Sequence, residues 1–377
     1  MKLLYLMTEP FGFGGVQSDL LTLSEDMTQR GHQVYVATPA GVLLEEVKSK
    51  GAHHLNIDFQ FKGLGGLWRA VLALRAAVRS HQIELVAPQS VRSSIVAFMA
   101  LRLLPFFYKV AATGRKVPLV TTVHNIHNPR HFSYVGHILQ RCSDYVIFES
   151  NYERDRLLAS GLSPNKSSVI HSGIDTDRFV PTAPDPGLLS RYGIDPQQHI
   201  VFGIVARLSE EKGHNYLLDA FAIIHQQQPS ARLLIVGDGP LMAAVQAQIT
   251  ALDLGAAVIL AGAQRQVPAF LAMMDVFVLA STRESFPLAA REAMAAGKPV
   301  IAPRIGGCPE VVDDQVTGCL FTAAQAPELA AAMRQLLDPA QRQQFGCAAR
   351  QRVERLFSRR SWVNGDERVY LTALGHP

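Results

Sequence analysis

Two glutamates, Glu284 and Glu292, stand with seven residues between them in the run ASTRESFPLAAREAMAAGKPVIAPRIGGCPEV, from Ala280 to Val311. On one helix, eight steps of about 100° would set them roughly 80° apart, so they need not share a face and suit two parts of one elongated ligand. Pro287 fits the first helical position, where its missing N–H costs nothing, and Gly297 fits a left-handed cap at the other end. Phe286, Leu288 and Ala289 would then offer backbone donors at the positive end of the helix dipole, an anion site. Carboxylates for hydroxyls at both ends of an anionic middle describe a sugar nucleotide. One carboxylate would take the sugar hydroxyls, the turn at Phe286, Pro287 and Leu288 the phosphates, and the other carboxylate the ribose. A surface helix with two solvated glutamates is the competing reading of the pair alone.

Other loops offer matching groups. The apolar run His199 to Ala206 reads as a buried strand and leads into Arg207-Leu208-Ser209-Glu210-Glu211-Lys212-Gly213. Two cations in one strand-to-helix loop suit a diphosphate, Arg207 as a bidentate fork and Lys212 as a point charge. Gly237, after the strand Arg232 to Val236, and Ala263, after Val258 to Leu260, stand at further strand-to-helix turns. Near the start, the strand Leu3 to Met7 runs into Gly12-Phe13-Gly14-Gly15, where Gly14 and Gly15 let backbone approach a phosphate or sugar. A dinucleotide-binding reading wants an acid at the end of the second strand, but Val34 to Thr38 ends in Thr38-Pro39. His124 falls directly after the strand Leu119 to Val123, with Asn125, His127 and Asn128 beside it. Open α/β sheets place ligand groups there.

At Glu284, Glu292, Ala293-Met294-Ala295-Ala296-Gly297-Lys298-Pro299-Val300 and Gly306-Gly307-Cys308-Pro309-Glu310 the chain resembles the retaining glycosyltransferases of the GT-B fold, family four. Arg207-Leu208 with Lys212-Gly213 matches the same family. The resemblance is strongest from Val201 to Val312 and weakest from Asp58 to Lys116. It implies an α/β GT-B architecture of two Rossmann-like α/β/α domains facing each other across a cleft. It also implies transfer of a sugar from a nucleotide sugar, UDP-linked in this reading, to an acceptor hydroxyl with retention. His124 would contact the sugar and Glu284 orient it, Arg207 and Lys212 would hold the leaving diphosphate, Glu292 the ribose, and the backbone at Ala263 the base. No metal or other cofactor is implied, and the Asp175-x-Asp177 pair is read as structural. A sugar-nucleotide 2-epimerase shares fold and donor and is the alternative.

The strand and helix patterns alternate along the whole chain, broken by Pro181, Pro184 and Pro186, which places a hinge between Val180 and Gly193. The expected domains are residues 1–180 with a returning C-terminal helix, 361–377, and residues 181–360. At 377 residues, 48% apolar and 18% charged, the chain is long enough for both. Cys142, Cys308, Cys319 and Cys347 lack metal-ligand spacing, which points to reduced thiols and a cytoplasmic location. The net charge of +4 is uneven: from Gln60 to Lys116 nine Lys/Arg face one acid, Glu84. Within that stretch Leu101 to Lys109 interleaves apolar and aromatic residues with cations. An anionic membrane surface, met from the cytoplasmic side through 60–116, is the expected partner beside the donor and a glycan or lipid-linked acceptor. Nucleic acid is not expected.

Overall fold

The structure is a computed structural model. It describes residues 1–375 apart from Phe13, 104–113, 115, 125, 127 and 128. The chain forms two compact units, Met1–Ser172 with Arg360–Pro377, and Gly173–Arg359. The proline-rich stretch lies inside the second unit, because Ile174 pairs with Ser358 and Phe179 is buried in that unit's core.

In the first unit, β1 (Lys2–Leu6), β2 (Gln33–Thr38), β3 (His53–Asn56) and β4 (Leu85–Pro88) lie in the order β3-β2-β1-β4, all parallel. A parallel trio, β5 (Val120–Val123), β6 (Tyr145–Phe148) and β7 (Ser167–Val169), continues from β4 through the Val86–Leu119 bridge. Strands covered by helices on both faces need apolar residues throughout, and Leu3, Leu4, Tyr5 and Leu6 are all fully buried. The polar β3 sits at the edge, where one side of the ladder is free, and its residues are only partly covered. The final helix, Arg359–Leu374, inserts Trp362, Val363 and Tyr370 into the cluster built on Leu3, Tyr5 and Val34.

In the second unit, β8 (Ile200–Val205), β9 (Ala231–Val236), β10 (Val258–Gly262), β11 (Val276–Val278), β12 (Val300–Pro303) and β13 (Gly318–Phe321) are parallel in the order β10-β9-β8-β11-β12-β13. One face packs Phe202, Ile204 and Phe221 into a core, and the other packs Val201, Phe277 and Met294. In both sheets the chain winds outward from its first strand and then returns to that strand's other side. The loops leaving β1 and β4, and those leaving β8 and β11, therefore part from each other. The crevice between such loops, at the carboxyl ends of the strands, is where open sheets hold ligands.

Candidate functional site

In the second unit the loops at the carboxyl ends touch backbone to backbone, and glycine makes this possible. Gly213 ends the β8 loop at φ 64°, and a Cβ there would lie 2.1 Å from the Ala280 carbonyl after β11. Gly237, at φ 151°, would meet the Ala206 carbonyl at 1.9 Å, and Gly306, at φ 52°, the Glu284 carbonyl at 1.7 Å. Hydrogen bonds complete the stitching: Thr282 N–H donates to Glu211 O at 2.8 Å, and Leu208 N–H to Asp238 O at 3.0 Å. Four loops thus form one surface, and the charged side chains emerge from it.

Lys212 Nζ lies 2.6 Å from Glu284 Oε1, which also accepts from Ser281 Oγ at 2.7 Å. Glu284 is 10% exposed and Lys212 25%, so the pair is only lightly screened by water. Arg207, 69% exposed, reaches Glu211 at 3.2 Å. Burial raises the Glu211 pKa, but the Ser209 hydroxyl, its own backbone and Arg207 outweigh that and bring it down to about 2. His214, behind Lys212, is buried and neutral: burial first, and the Lys212 charge second, lower its pKa to about 4. The loop's positive charge therefore rests on Arg207 and Lys212.

The helix after β11 runs Leu288–Ala295, so Pro287 is its cap residue and not its first helical position. The first intrahelical bond runs from Arg291 N–H to Pro287 O, so the N–H groups of Leu288, Ala289 and Ala290 precede the ladder. Arg291, which pattern reading passed over, is 1% exposed. Its guanidinium donates to the Phe286 and Pro287 carbonyls and lies 4.3 Å from the Phe286 ring, bracing the turn from below. Glu292 is half-buried one turn into the helix, and Gly297 closes the helix at φ 74°. Ala263 is exposed just beyond β10, whose last residue Gly262 accepts from Gly237 N–H at 2.9 Å. The Asp175 carboxylate accepts from the N–H groups of Asp177 and Arg178 and pairs with Arg359, so it caps a turn.

The first unit holds His124, Gly14 and Gly15. His124 directly follows β5 and is 8% exposed. Its Nδ1 lies 3.0 Å from Glu149 Oε1, and its Nε2 2.8 Å from Gln89 Oε1. The helix Gly15–Gln29, capped by Gly14, carries Asp19 to the same place: Asp19, His124 and Glu149 offer atoms within 4.8 Å of one another. Asp366, 1% exposed on the last helix, closes a small cavity lined by all four. Burial, with Glu149's charge next, pushes the Asp366 pKa up to about 8 against the opposing effects of His124 and the Trp362 indole. Glu149, Gln89, Asp19 and Asp366 belong to no motif, and only the fold brings them to His124. Asn125, His127 and Asn128 lie outside the described residues, as does most of Leu101 to Lys109.

The family model described as Glycosyl transferases group 1 matches residues 192–352, and that described as Glycosyltransferase Family 4 matches 13–178. The chain belongs to the group 1 glycosyltransferases. A Mycolicibacterium smegmatis relative, GDP-mannose-dependent alpha-(1-6)-phosphatidylinositol monomannoside mannosyltransferase, is 33% identical over 223 residues. That match covers 55% of this chain and spans 57% of the relative's own length. A Rickettsia africae glycosyltransferase superposes with a TM-score of 0.85 at 20% identity, covering 100% of this chain and 99% of that one. Anabaena HepE in complex with UDP-glucose superposes with a TM-score of 0.82 at 24% identity, covering 99% and 100%. The two parallel α/β units are those of the GT-B fold. The epimerase alternative gains no support, since the relatives compared are transferases.

Two measurements check this geometry. Gly306→Ala adds a Cβ 1.7 Å from a carbonyl at a left-handed position, and should cost at least ~2 kcal/mol in urea melts. Asp366→Asn mimics the protonated acid. Because the folded-state pKa is raised to about 8, the wild type loses stability as pH climbs from the ordinary carboxylate range through that value. The gain in Tm from Asp366→Asn should therefore be small in acid, grow with pH and level off above about pH 8.

Proposed function

We propose that this chain transfers a hexosyl group with retention, and without a metal, from a UDP-sugar to a hydroxyl of a lipid-linked or envelope glycan. The observation that carries this reading is the contact between Lys212 and Glu284, at 2.6 Å, beside the start of the helix Leu288–Ala295. Cation, carboxylate and unladdered N–H groups at one point suit the junction of sugar and diphosphate.

In this reaction the bond from the anomeric carbon to the phosphate oxygen breaks and a bond to the acceptor oxygen forms on the same face. The departing phosphate oxygen takes the acceptor's proton. Negative charge grows on the diphosphate as the sugar becomes oxocarbenium-like, so the main work is electrostatic. Arg207, Lys212, the N–H groups of Leu288 and Ala289, and backbone at Gly15, Gly237 and Ala263 would hold nucleotide and diphosphate. Glu284 would orient the sugar hydroxyls, Glu292 the ribose, and His124 the reacting end of the sugar. Support for a UDP donor comes from HepE, whose structure holds UDP-glucose; the mannosyltransferase relative uses GDP-mannose.

The membrane part of the reading rests on the helix Gly63–Ser80. Leu64, Trp68 and Leu72 recur every four residues and are 75%, 44% and 57% exposed, beside the exposed cations Lys62, Arg69 and Arg79. An apolar stripe flanked by cations suits an anionic interface. Among the other cations of 60–116, Arg75 donates to Ala100 O, Arg92 lies over the Phe61 ring, and Arg102 pairs with Asp144. Lys109 and Arg115 lie outside the described residues. Among the described residues no helix is long and apolar enough to cross a membrane.

A thermal-shift panel of UDP- and GDP-sugars, followed by mass spectrometry of products formed with lipid extracts, tests the activity. Lys212→Ala and Glu284→Gln should each lower turnover at least ~100-fold with the fold retained by circular dichroism; near-wild-type turnover in either removes the site. Wild-type protein should co-sediment with phosphatidylglycerol vesicles at low salt, and Trp68→Ala with Leu72→Ser should release it. Equal sedimentation of the two proteins would remove Leu64, Trp68 and Leu72 as the contact.

A further inference from the structure

The protonation of His124 follows from the groups around it. Gln89 donates its side-chain Nε2 to the Ala87 carbonyl at 3.1 Å, which fixes the amide so that its oxygen faces the ring. An amide oxygen only accepts, so the His124 Nε2 at 2.8 Å must carry a hydrogen. On the other side, Nδ1 lies 3.0 Å from Glu149 Oε1, off the line of a regular hydrogen bond. A ring lone pair held that close to a carboxylate in a dry site would be repelled. A proton on Nδ1 turns the repulsion into an ion pair.

We propose that Gln89 and Glu149 are positioning residues that hold His124 as an imidazolium, a fixed cation that serves glycosyl transfer by charge and orientation and does not accept a proton. This rests on the reading of His124 as a group acting on the donor sugar. Every element packed on the ring agrees. Glu149 faces the ring from the end of β6 and Asp19 from the helix Gly15–Gln29; Asp366, on the helix Arg359–Leu374, keeps its proton near neutral pH, and Gln89, after β4, is neutral. Burial alone would lower the His124 pKa, but the adjacent Glu149 carboxylate, then the charge of Asp19 and, once it is ionised, that of Asp366, raise it above the ordinary histidine value. With the folded-state pKa raised, the charged form and its stabilisation are present below the unfolded-state value and are lost as pH rises through the folded one. A transfer step that needs this cation should accordingly fail on the alkaline side.

The test is ring-nitrogen NMR of the full chain, with the His124 signal assigned by its loss in His124→Asn, alongside pH profiles of kcat and donor KM. Both ring nitrogens should stay protonated through neutral pH. Glu149→Gln should lower the His124 titration by about one unit, and with it the alkaline limb of kcat. At a pH on that limb this is a roughly tenfold loss of turnover, with donor KM changed less than about threefold. Glu149→Asp should restore part of the shift. A Glu149 that only props the fold would lower Tm and leave the alkaline limb in place, which would overturn the inference. So would a neutral ring with one protonated nitrogen at pH 7, a result read on the wild type that needs no variant to fold. Retention of a stoichiometric divalent ion, or perturbation of the His124 ring signals by added Zn²⁺, would overturn it as well, since Asp19, His124 and Glu149 would then be ligands. If His124→Ala turned over like the wild type, the role of His124 toward the sugar would fall, while the NMR result would still decide its charge.

Discussion

The Lys212–Glu284 pair of the second unit depends on uncharged contacts between loop backbones. Where Gly213 meets Ala280, Gly237 meets Ala206 and Gly306 meets Glu284, no side chain fits between the loops. That closeness is what lets Lys212, from the loop after β8, reach Glu284, from the loop after β11. Any Cβ at these glycines would wedge the loops apart, and the ion pair would lose its geometry before it lost its charges. Backbone contact is a better anchor for a site than the ion pair itself, because an isolated pair returns little once its desolvation is counted.

The two units solve the same problem with different electrostatics. In the second, cations emerge from the loops and their partners are carboxylates of the same surface, with Arg207 largely in water. In the first, the charges are buried: His124, Glu149, Asp19 and Asp366 share a cavity with almost no solvent. Such a set is tolerable only if protons are distributed to limit the net charge, and Asp366 keeps its proton near neutral pH for that reason. The last helix contributes both this acid and the core residues Trp362, Val363 and Tyr370. Packing and protonation at His124 are thereby tied to one element.

Short-range patterns were readable in advance. The continuous apolar runs of β1, β2, β8 and β9, the strand-to-helix turns, and Gly297 at its left-handed φ all follow from local sequence. Short edge strands did not show themselves: β3 reads His53-His54-Leu55-Asn56 and β13 Gly318-Cys319-Leu320-Phe321, too polar or too brief to form a pattern. Pro287 caps the helix Leu288–Ala295 one position before the first turn, because proline's fixed φ suits the cap as well as the first helical position.

By itself, the sequence determined the residue types: cations in the loop after β8, carboxylates around the helix Leu288–Ala295, glycines at the strand ends, and a histidine after β5. Those choices are local, set by what a loop or a helix start demands of its own residues. Tertiary structure alone decided the partners. Lys212 and Glu284 are seventy-two positions apart, and His124 and Gln89 thirty-five. Asp366 arrives at His124 from the far end of the chain. No spacing rule links such residues, because parallel strands place sequence-distant loops side by side, and burial then sets the charge each group carries.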